Sequence, residues 1–200
     1  MENKEIVIWS GGADSTYLLH TLAQKSSKEN PVDTISIVYK NFNEEKNKLE
    51  KDARISIMKW FKEKKYHITN REITINTSSM PVLVSNQALE WISCIMPFID
   101  TNSNVHFGYI FPDSFWHKRQ EFVKAFYALN SIKCVSNNTT DLFFDLEWTH
   151  KDEIVNKLKK LKLLKLISTC EDPVNYKPCK KCEKCLELKN TLEKIKGEKK

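Results

Sequence analysis

The run SGGADST, residues 10–16, brings together residue types that suit an anion-binding loop. Only four glycines occur in the 200 residues, and two of them are the adjacent Gly11 and Gly12. Glycines can take positive φ and let a ligand approach the main chain, so successive N–H groups can point into one concavity. We therefore predict a phosphate or pyrophosphate site, and its residues are Ser10, Gly11, Gly12, Ala13, Asp14, Ser15 and Thr16.

The loop has a plainer alternative, a strand–helix turn in which Asp14 is the N-cap of the helix. Two adjacent glycines and three hydroxyls are more than such a turn requires, which favours the anion site. The run has no GK[ST] ending and no G-x-G-x-x-G spacing, so it is neither a Walker A loop nor a dinucleotide fingerprint.

A cluster of cysteines near the C-terminus has metal-ligand spacing. The pattern is C-x8-C-x2-C-x2-C, formed by Cys170, Cys179, Cys182 and Cys185. Four thiolates with two-residue gaps suit a tetrahedral Zn²⁺ ion, and a closed site of this kind is structural. Surface thiols without a metal and a redox pair are the alternatives, and the overlapping C-x-x-C pairs disfavour the second. We expect Cys94 and Cys134 to be packing residues.

The elements that must position these residues alternate along the chain. Apolar runs predict strands at residues 5–10, 34–39, 67–75, 105–110 and 142–146. Helical periodicity predicts helices at residues 14–24, 44–64, 85–98, 115–130, 151–164 and from about 183. The alternation predicts an α/β fold with a parallel sheet between helices, whose ligand site lies at the carboxyl ends of the strands. Residues 1–165 are predicted to form the α/β domain, and residues 166–200 a zinc-binding segment packed on it.

Composition and charge narrow the class of protein. The chain is 40% apolar without any run of about 18 apolar residues, which predicts no membrane span. We expect a cytoplasmic protein, in which six cysteines favour metal binding over disulfides. The net charge is +6, with −1 in residues 1–149 and +7 in residues 150–200. Lysines around the cysteines offset the charge of a zinc–tetrathiolate site, so the basic tail does not require nucleic acid.

SGGADST after a predicted strand resembles the SGGxDS signature of the PP-loop ATP pyrophosphatases. Together with the C-terminal cysteines, it makes the chain similar to the 7-cyano-7-deazaguanine synthases (QueC) over nearly its whole length. KRQEFVKAF (118–126), THKDEIV (149–155) and LISTC (166–170) resemble further segments of that family. The resemblance implies a Rossmann-like PP-loop sheet sandwiched by helices, with a C-terminal zinc-binding helical segment.

The resemblance also implies a reaction and its cofactors. The family uses ATP, Mg²⁺ and ammonia to convert 7-carboxy-7-deazaguanine to its nitrile, through an acyl-adenylate and an amide. Catalytic roles then fall on Ser10, Asp14 and Lys151, with Asp14 as a magnesium ligand or helix cap and Lys151 as a phosphate ligand. Zn²⁺ is implied at the four cysteines. A homodimer is implied by analogy, and neither a membrane nor a nucleic-acid partner is expected.

Two segments depart from the family pattern on the substrate side. In VLVSN (82–86), Ser85 stands where the family has arginine, while Asn86 matches. In FWHKR (115–119), His117 and Lys118 replace an aspartate and a cysteine, while Arg119 matches. We expect Asn86, His117, Lys118 and Arg119 to contact the purine-like substrate.

These departures leave other functions open. One is a QueC-like enzyme of an anti-phage (type IV CBASS-like) system, which joins the deazaguanine to the N-terminus of a partner protein. Another is a zinc-containing nucleic-acid-binding module, although residues 177–200 contain no aromatic residue to interleave with the lysines. A tRNA-thiolating PP-loop enzyme is a further alternative, for which Cys94 and Cys134 are poor catalytic candidates.

Overall fold

The structure is a computed structural model that describes residues 3–40, 43–76, 87–132 and 140–197. Its strands are β1 (Lys4–Ile8), β2 (Val32–Lys40), β3 (Ile68–Asn76), β4 (Ser103–Phe107) and β5 (Asp141–Phe143). Its α-helices are α1 (Ala13–Ala23), α2 (Glu44–Glu63), α3 (Gln87–Ile95), α4 (Arg119–Ile132), α5 (Lys151–Lys160) and α6 (Glu183–Gly197). Short 3₁₀ helices follow at Met96–Phe98, Ser114–Lys118 and Leu163–Lys165.

The five strands form one parallel sheet in the order β3-β2-β1-β4-β5. Ile6 of β1 lies opposite Asp33 on β2 and Val105 on β4. The chain runs outward from β1 to β3 and then returns to the other side of β1. The strand order therefore reverses between β1 and β4, and in sheets of this kind the crevice at that point takes the ligand.

The two faces of the sheet are covered by different helices. Val7 and Trp9 pack with buried residues of α1, α2 and α5, whereas Ile6 and Ile8 pack with those of α3 and α4. A central parallel strand buried on both faces needs a continuous apolar run rather than an alternating one. The run IVIW provides it, and the predicted Rossmann-like α/β fold is confirmed.

Several helices and strands begin or end at residues other than the predicted ones. The helix predicted over residues 115–130 divides into a 3₁₀ turn and α4, because the Asp113 carboxylate accepts a hydrogen bond from the Phe115 N–H (3.0 Å) and starts the turn earlier. The helix predicted over residues 151–164 is interrupted at Lys162, whose φ of 64° cannot continue a right-handed helix. The last strand is shorter than predicted, at Asp141–Phe143.

Among the described residues, no helix combines the length and the apolar character that crossing a bilayer demands. The division at residue 165 stays a prediction. Ser85, the predicted substrate residue Asn86 and the predicted packing residue Cys134 lie outside the described residues.

Candidate phosphate loop and metal centre

The loop between β1 and α1 lies at the carboxyl end of the central strand, next to the crevice. Gly11 has a φ of 89°, so the main chain there takes a conformation that favours glycine. Gly12 has a φ of −77° and is the N-cap of α1 without a side-chain cap. Only one glycine of the pair therefore uses positive φ, and the interpretation of Asp14 as the helix cap is wrong, because α1 begins one residue before it.

The three hydroxyls of the loop have different surroundings. The Oγ atoms of Ser10 and Ser15 lie 3.1 Å apart, and the Gly12 N–H donates to Ser10 Oγ (3.2 Å). Thr16 is instead fully buried and its Oγ1 accepts a hydrogen bond from the Trp9 indole (3.1 Å). Ser10 and Ser15 thus line the loop, while Thr16 anchors α1 to the end of β1.

Asp14 and Lys151 form a bidentate ion pair beside this loop. The Lys151 ammonium donates to Asp14 Oδ1 at 2.9 Å and to Oδ2 at 2.8 Å. Burial raises the pKa of the Asp14 carboxyl above its ordinary value, although the charge of Lys151 acts in the opposite direction. The structure therefore brings two of the residues with an implied catalytic role into direct contact at the first turns of α1 and α5.

The ion pair continues as a chain of alternating charges toward α6. Glu187 lies 3.7 Å from both Lys151 and Lys184, and Lys184 lies 3.8 Å from Asp113. Lys184 comes from the cysteine-bearing segment, between Cys182 and Cys185. The predicted metal-binding segment and the predicted phosphate site are thus adjacent, and charged side chains link them.

The sequence interpretation missed Gly108, which follows β4. A Cβ atom at this position would lie 3.1 Å from the main-chain N and Cα of Ser15 and 3.2 Å from the carbonyl carbon of Asp14. Only glycine lets the end of β4 come this close to the first turn of α1. A lone glycine inside the strand predicted over residues 105–110, in a chain with so few glycines, was the available signal.

The four cysteines form the metal-ligand cluster that their spacing predicts. The sulfur atoms of Cys170, Cys179, Cys182 and Cys185 all lie within 4.8 Å of one another. The Cys179 N–H donates to Cys170 Sγ and the Cys182 N–H to Cys179 Sγ, each at 3.2 Å. Burial raises the pKa of the Cys182 thiol, but hydrogen bonds from main-chain N–H groups lower it to about 6. Four converging sulfurs fit a tetrahedral ion such as Zn²⁺, which they would hold as thiolates.

The predicted substrate residues of the 3₁₀ turn differ in exposure. His117 and Lys118 are exposed. Arg119 packs over the Trp116 and Phe144 rings, at 5.1 and 5.4 Å, and lies 3.4 Å from a Glu147 oxygen. Arg119 is therefore held by neighbouring rings and a carboxylate, whereas His117 and Lys118 face outward.

Two aromatic side chains beside these residues are exposed. Phe111 and Trp148 are 53% and 75% exposed, and their rings lie 5.5 Å apart. The Phe111 N–H donates to the Glu147 carbonyl (2.9 Å), which joins the loops after β4 and β5. Because Trp148 comes three residues before Lys151, this aromatic pair lies at the same edge of the sheet as the phosphate loop.

Comparisons with known proteins bear on the fold and on the C-terminal half of the chain. Residues 100–196 match the family model described as queuosine biosynthesis protein QueC. No curated protein matches the chain. A solved structure of the U34-tRNA thiolase NcsA from Methanococcus maripaludis, with its [4Fe-4S] cluster, aligns with a TM-score of 0.54 at 14% identity. The alignment covers 99% of this chain and 68% of the thiolase, and at that identity it establishes a shared fold only.

Proposed function

We propose that this chain is a divergent QueC-like PP-loop enzyme, an ATP-dependent C–N ligase that acts on 7-carboxy-7-deazaguanine. The match of residues 100–196 to the QueC family model supports the proposal. The observation that carries the proposal is the Asp14–Lys151 ion pair beside the Ser10–Ser15 hydroxyl pair. It places a cation, a carboxylate and hydroxyl groups at the first turn of one helix, where main-chain N–H groups and the helix dipole favour a polyphosphate.

In the proposed first step, a carboxylate oxygen of the substrate attacks the α-phosphorus of ATP. The bond from that phosphorus to the pyrophosphate oxygen breaks, which leaves an acyl-adenylate. The loop N–H groups and the Ser10 and Ser15 hydroxyls hold the leaving pyrophosphate. Lys151 stabilises the charge that develops on the α-phosphate, and Asp14 orients the lysine until the nucleotide is bound. A magnesium ion held by Asp14 and the phosphates would offset further negative charge.

In the second step, ammonia attacks the acyl carbon, AMP leaves with the bonding electron pair, and the nitrogen loses a proton to give the amide. A second ATP then adenylates the amide oxygen with release of another pyrophosphate. Loss of AMP and of the remaining two amide protons gives the nitrile. The exposed His117 and Lys118, together with Asn86 and Arg119, are proposed to contact the base.

A second candidate is transfer of the activated carboxylate to the N-terminal amine of a partner protein. The exposed Phe111 and Trp148 favour it, because ammonia needs no docking surface whereas a polypeptide acceptor does. This candidate requires a single adenylation. The tRNA thiolase that shares the fold adds a nucleic-acid acceptor as a third outcome that the experiment must separate.

A product assay tests the proposal. The metal-loaded protein is incubated with MgATP, 7-carboxy-7-deazaguanine and ammonium, and pyrophosphate, AMP and products are followed by mass spectrometry. We expect pyrophosphate release that depends on the carboxylate, and a nitrile product. A stalled adenylate or an amide alone, with no nitrile, supports the protein acceptor instead.

Ser10→Ala and Asp14→Ala serve as the variants of the loop. Undiminished pyrophosphate release in both would remove the loop from the mechanism. No pyrophosphate with any carboxylated deazapurine, with or without a protein or tRNA acceptor, would overturn the ligase proposal itself.

A further inference from the structure

Arg54 is a buried cation of α2 that contacts the main chain of the phosphate loop. The residue is 3% exposed, and its Nη1 donates to the main-chain carbonyl oxygen of Ser10 at 3.2 Å. Its Nη2 donates to Glu72 Oε2 on β3 at 2.9 Å, and Glu50 lies 3.9 Å from Nη1. A buried guanidinium is costly unless it is paired, and here two hydrogen bonds and the nearby charge of Glu50 compensate for its burial. The side chain therefore has one fixed position, with one hydrogen bond to the loop.

The Arg54 contact determines where the next N–H group points. In a trans peptide the carbonyl of one residue and the N–H of the following residue point in opposite directions. Because Arg54 holds the Ser10 carbonyl oxygen, the Gly11 N–H is directed away from α2. Within the described part of the chain, this N–H has no acceptor.

The following peptide unit is held in the same way from the cysteine-bearing segment. The Ser168 N–H donates to the Gly11 carbonyl oxygen at 3.1 Å, which directs the Gly12 N–H to the opposite side. There the Gly12 N–H meets Ser10 Oγ. Two consecutive carbonyls of the loop are thus anchored by surrounding elements. Because the Gly12 N–H is bonded to Ser10 Oγ, the Gly11 N–H is the one of this pair that is open to an anion.

The same arginine explains why position 11 is glycine. A Cβ atom on Gly11 would lie 3.0 Å from Arg54 Cγ, in addition to the strain of its positive φ. Lysine cannot replace the arginine, because a single ammonium on a flexible chain does not present the planar fork that reaches Ser10 and Glu72 together.

We propose that Arg54 is a positioning residue, which aims the Gly11 N–H at the pyrophosphate moiety of the nucleotide. This inference rests on the proposed function, in which that loop binds ATP. It assigns no contact between Arg54 and substrate, since the guanidinium is enclosed by α2, β3 and the loop.

The test compares Arg54→Met and Arg54→Lys with Lys51→Met. Lys51 is an exposed cation of the same helix, so the control removes the same charge with the same replacement. Dissociation constants of MgATP and of inorganic pyrophosphate are measured by calorimetry at fixed ionic strength, on protein whose metal content and circular dichroism match the wild type. We expect Arg54→Met to weaken both by about tenfold or more, Arg54→Lys by about threefold, and Lys51→Met to change neither.

The kinetic signature is a higher KM for ATP with little change in the KM for the carboxylate. Equal affinities in the wild type and both Arg54 variants would overturn the inference and leave the proposed function standing. Should the wild type itself bind neither MgATP nor pyrophosphate, both fail together. If Arg54→Met does not fold, Arg54→Lys decides alone, and wild-type affinity in that variant overturns the inference.

Discussion

Lys151 Nζ lies 2.9 and 2.8 Å from the two carboxylate oxygens of Asp14, so the first turns of α5 and α1 are joined by a bidentate ion pair at the edge of the phosphate loop. Each side chain is between exposed and buried, with 16% and 25% of its surface accessible. A ligand can therefore reach the pair, and the lysine is held in place before the ligand arrives.

The first prediction concerns Lys151→Met. We expect the rate of pyrophosphate release to fall by about 100-fold or more, because a preorganised cation at the reacting phosphate is lost. Lys159→Met, an exposed lysine of the same helix, should retain the wild-type rate. Comparable rates in the two variants would show that Lys151 plays no part in the chemistry.

The stability of Lys151→Met should also depend on pH. Burial raises the pKa of Asp14, and without Lys151 nothing in this pair opposes that effect. The ionised carboxylate then destabilises the folded state, so the stability lost relative to the wild type should grow as pH rises through the Asp14 pKa. Urea denaturation between pH 4 and 8 measures this, and a difference independent of pH would contradict it.

A second prediction contrasts the two loop glycines. Gly11→Ala forces a side chain into positive φ and within 3.0 Å of Arg54 Cγ, so we expect a loss of about 2 kcal/mol in the free energy of unfolding. Gly12→Ala has an ordinary φ and its Cβ would lie 3.2 Å from Ser10 Oγ, a side chain that can rotate. Gly12→Ala should lower the free energy of unfolding by less than half as much as Gly11→Ala. Chemical denaturation of both variants checks the order, and an equal loss would argue against the role of positive φ.

A third prediction concerns the metal. Elemental analysis should find one zinc ion per chain in the wild type and in Cys94→Ser, and none in Cys170→Ser. Loss of the ion should lower the free energy of unfolding by roughly 3 kcal/mol or more, because the segment around the cysteines has few buried residues of its own. Iron with acid-labile sulfide, as in the thiolase that shares this fold, would contradict the assignment of zinc.

A fourth prediction concerns a buried histidine away from the site. His106 on β4 lies between two carboxylates, with Nδ1 2.7 Å from Asp145 and Nε2 in contact with Glu5, and its ring stacks on Phe143 at 5.0 Å. Burial lowers the pKa of His106, but the two hydrogen bonds outweigh it and raise the pKa above its ordinary value. The same contacts lower the pKa of both carboxyls against the effect of burial.

His106→Gln should therefore cost about 2 kcal/mol near pH 6. A raised histidine pKa contributes stability that is complete below the ordinary value and is lost as pH rises through the folded-state value. The difference from the wild type should shrink toward alkaline pH. It should also shrink at acid pH, where Glu5 and Asp145 become protonated. Thermal unfolding of both proteins across pH 4 to 9 measures the acid and the alkaline decrease. A difference in stability that does not change with pH would contradict the charge assignment.

Local chemistry was predictable from the sequence. The loop residues Gly11 and Ser15 and the sulfur cluster are set by short spacings, because neighbours in sequence cannot move far apart. The apolar run of β1 predicted a strand buried on both faces, and alternation with helices predicted the parallel sheet.

Other features depend on distant parts of the chain. Asp14 and Lys151 are 137 positions apart, and Ser10 and Arg54 are 44 apart. Arg54 lies on the apolar face of α2, three and seven residues before Ile57 and Phe61. The sequence does not show that it contacts Glu72 and the loop, because those contacts depend on how α2 packs on the sheet. The exposed pair Phe111 and Trp148 was invisible for the same reason, because apolar residues give no sign of which ones the core leaves out.

The sequence by itself determined the residue types available to each site, the α/β class, and the two local motifs, since spacing and periodicity act within a few residues. Only the tertiary structure decided which side chains face one another across the sheet edge, that Gly11 alone of its pair needs positive φ, and that Asp14 pairs with Lys151 instead of capping its helix. Those outcomes follow from strand order and helix packing, which depend on the burial of the whole chain at once and on no single segment of it.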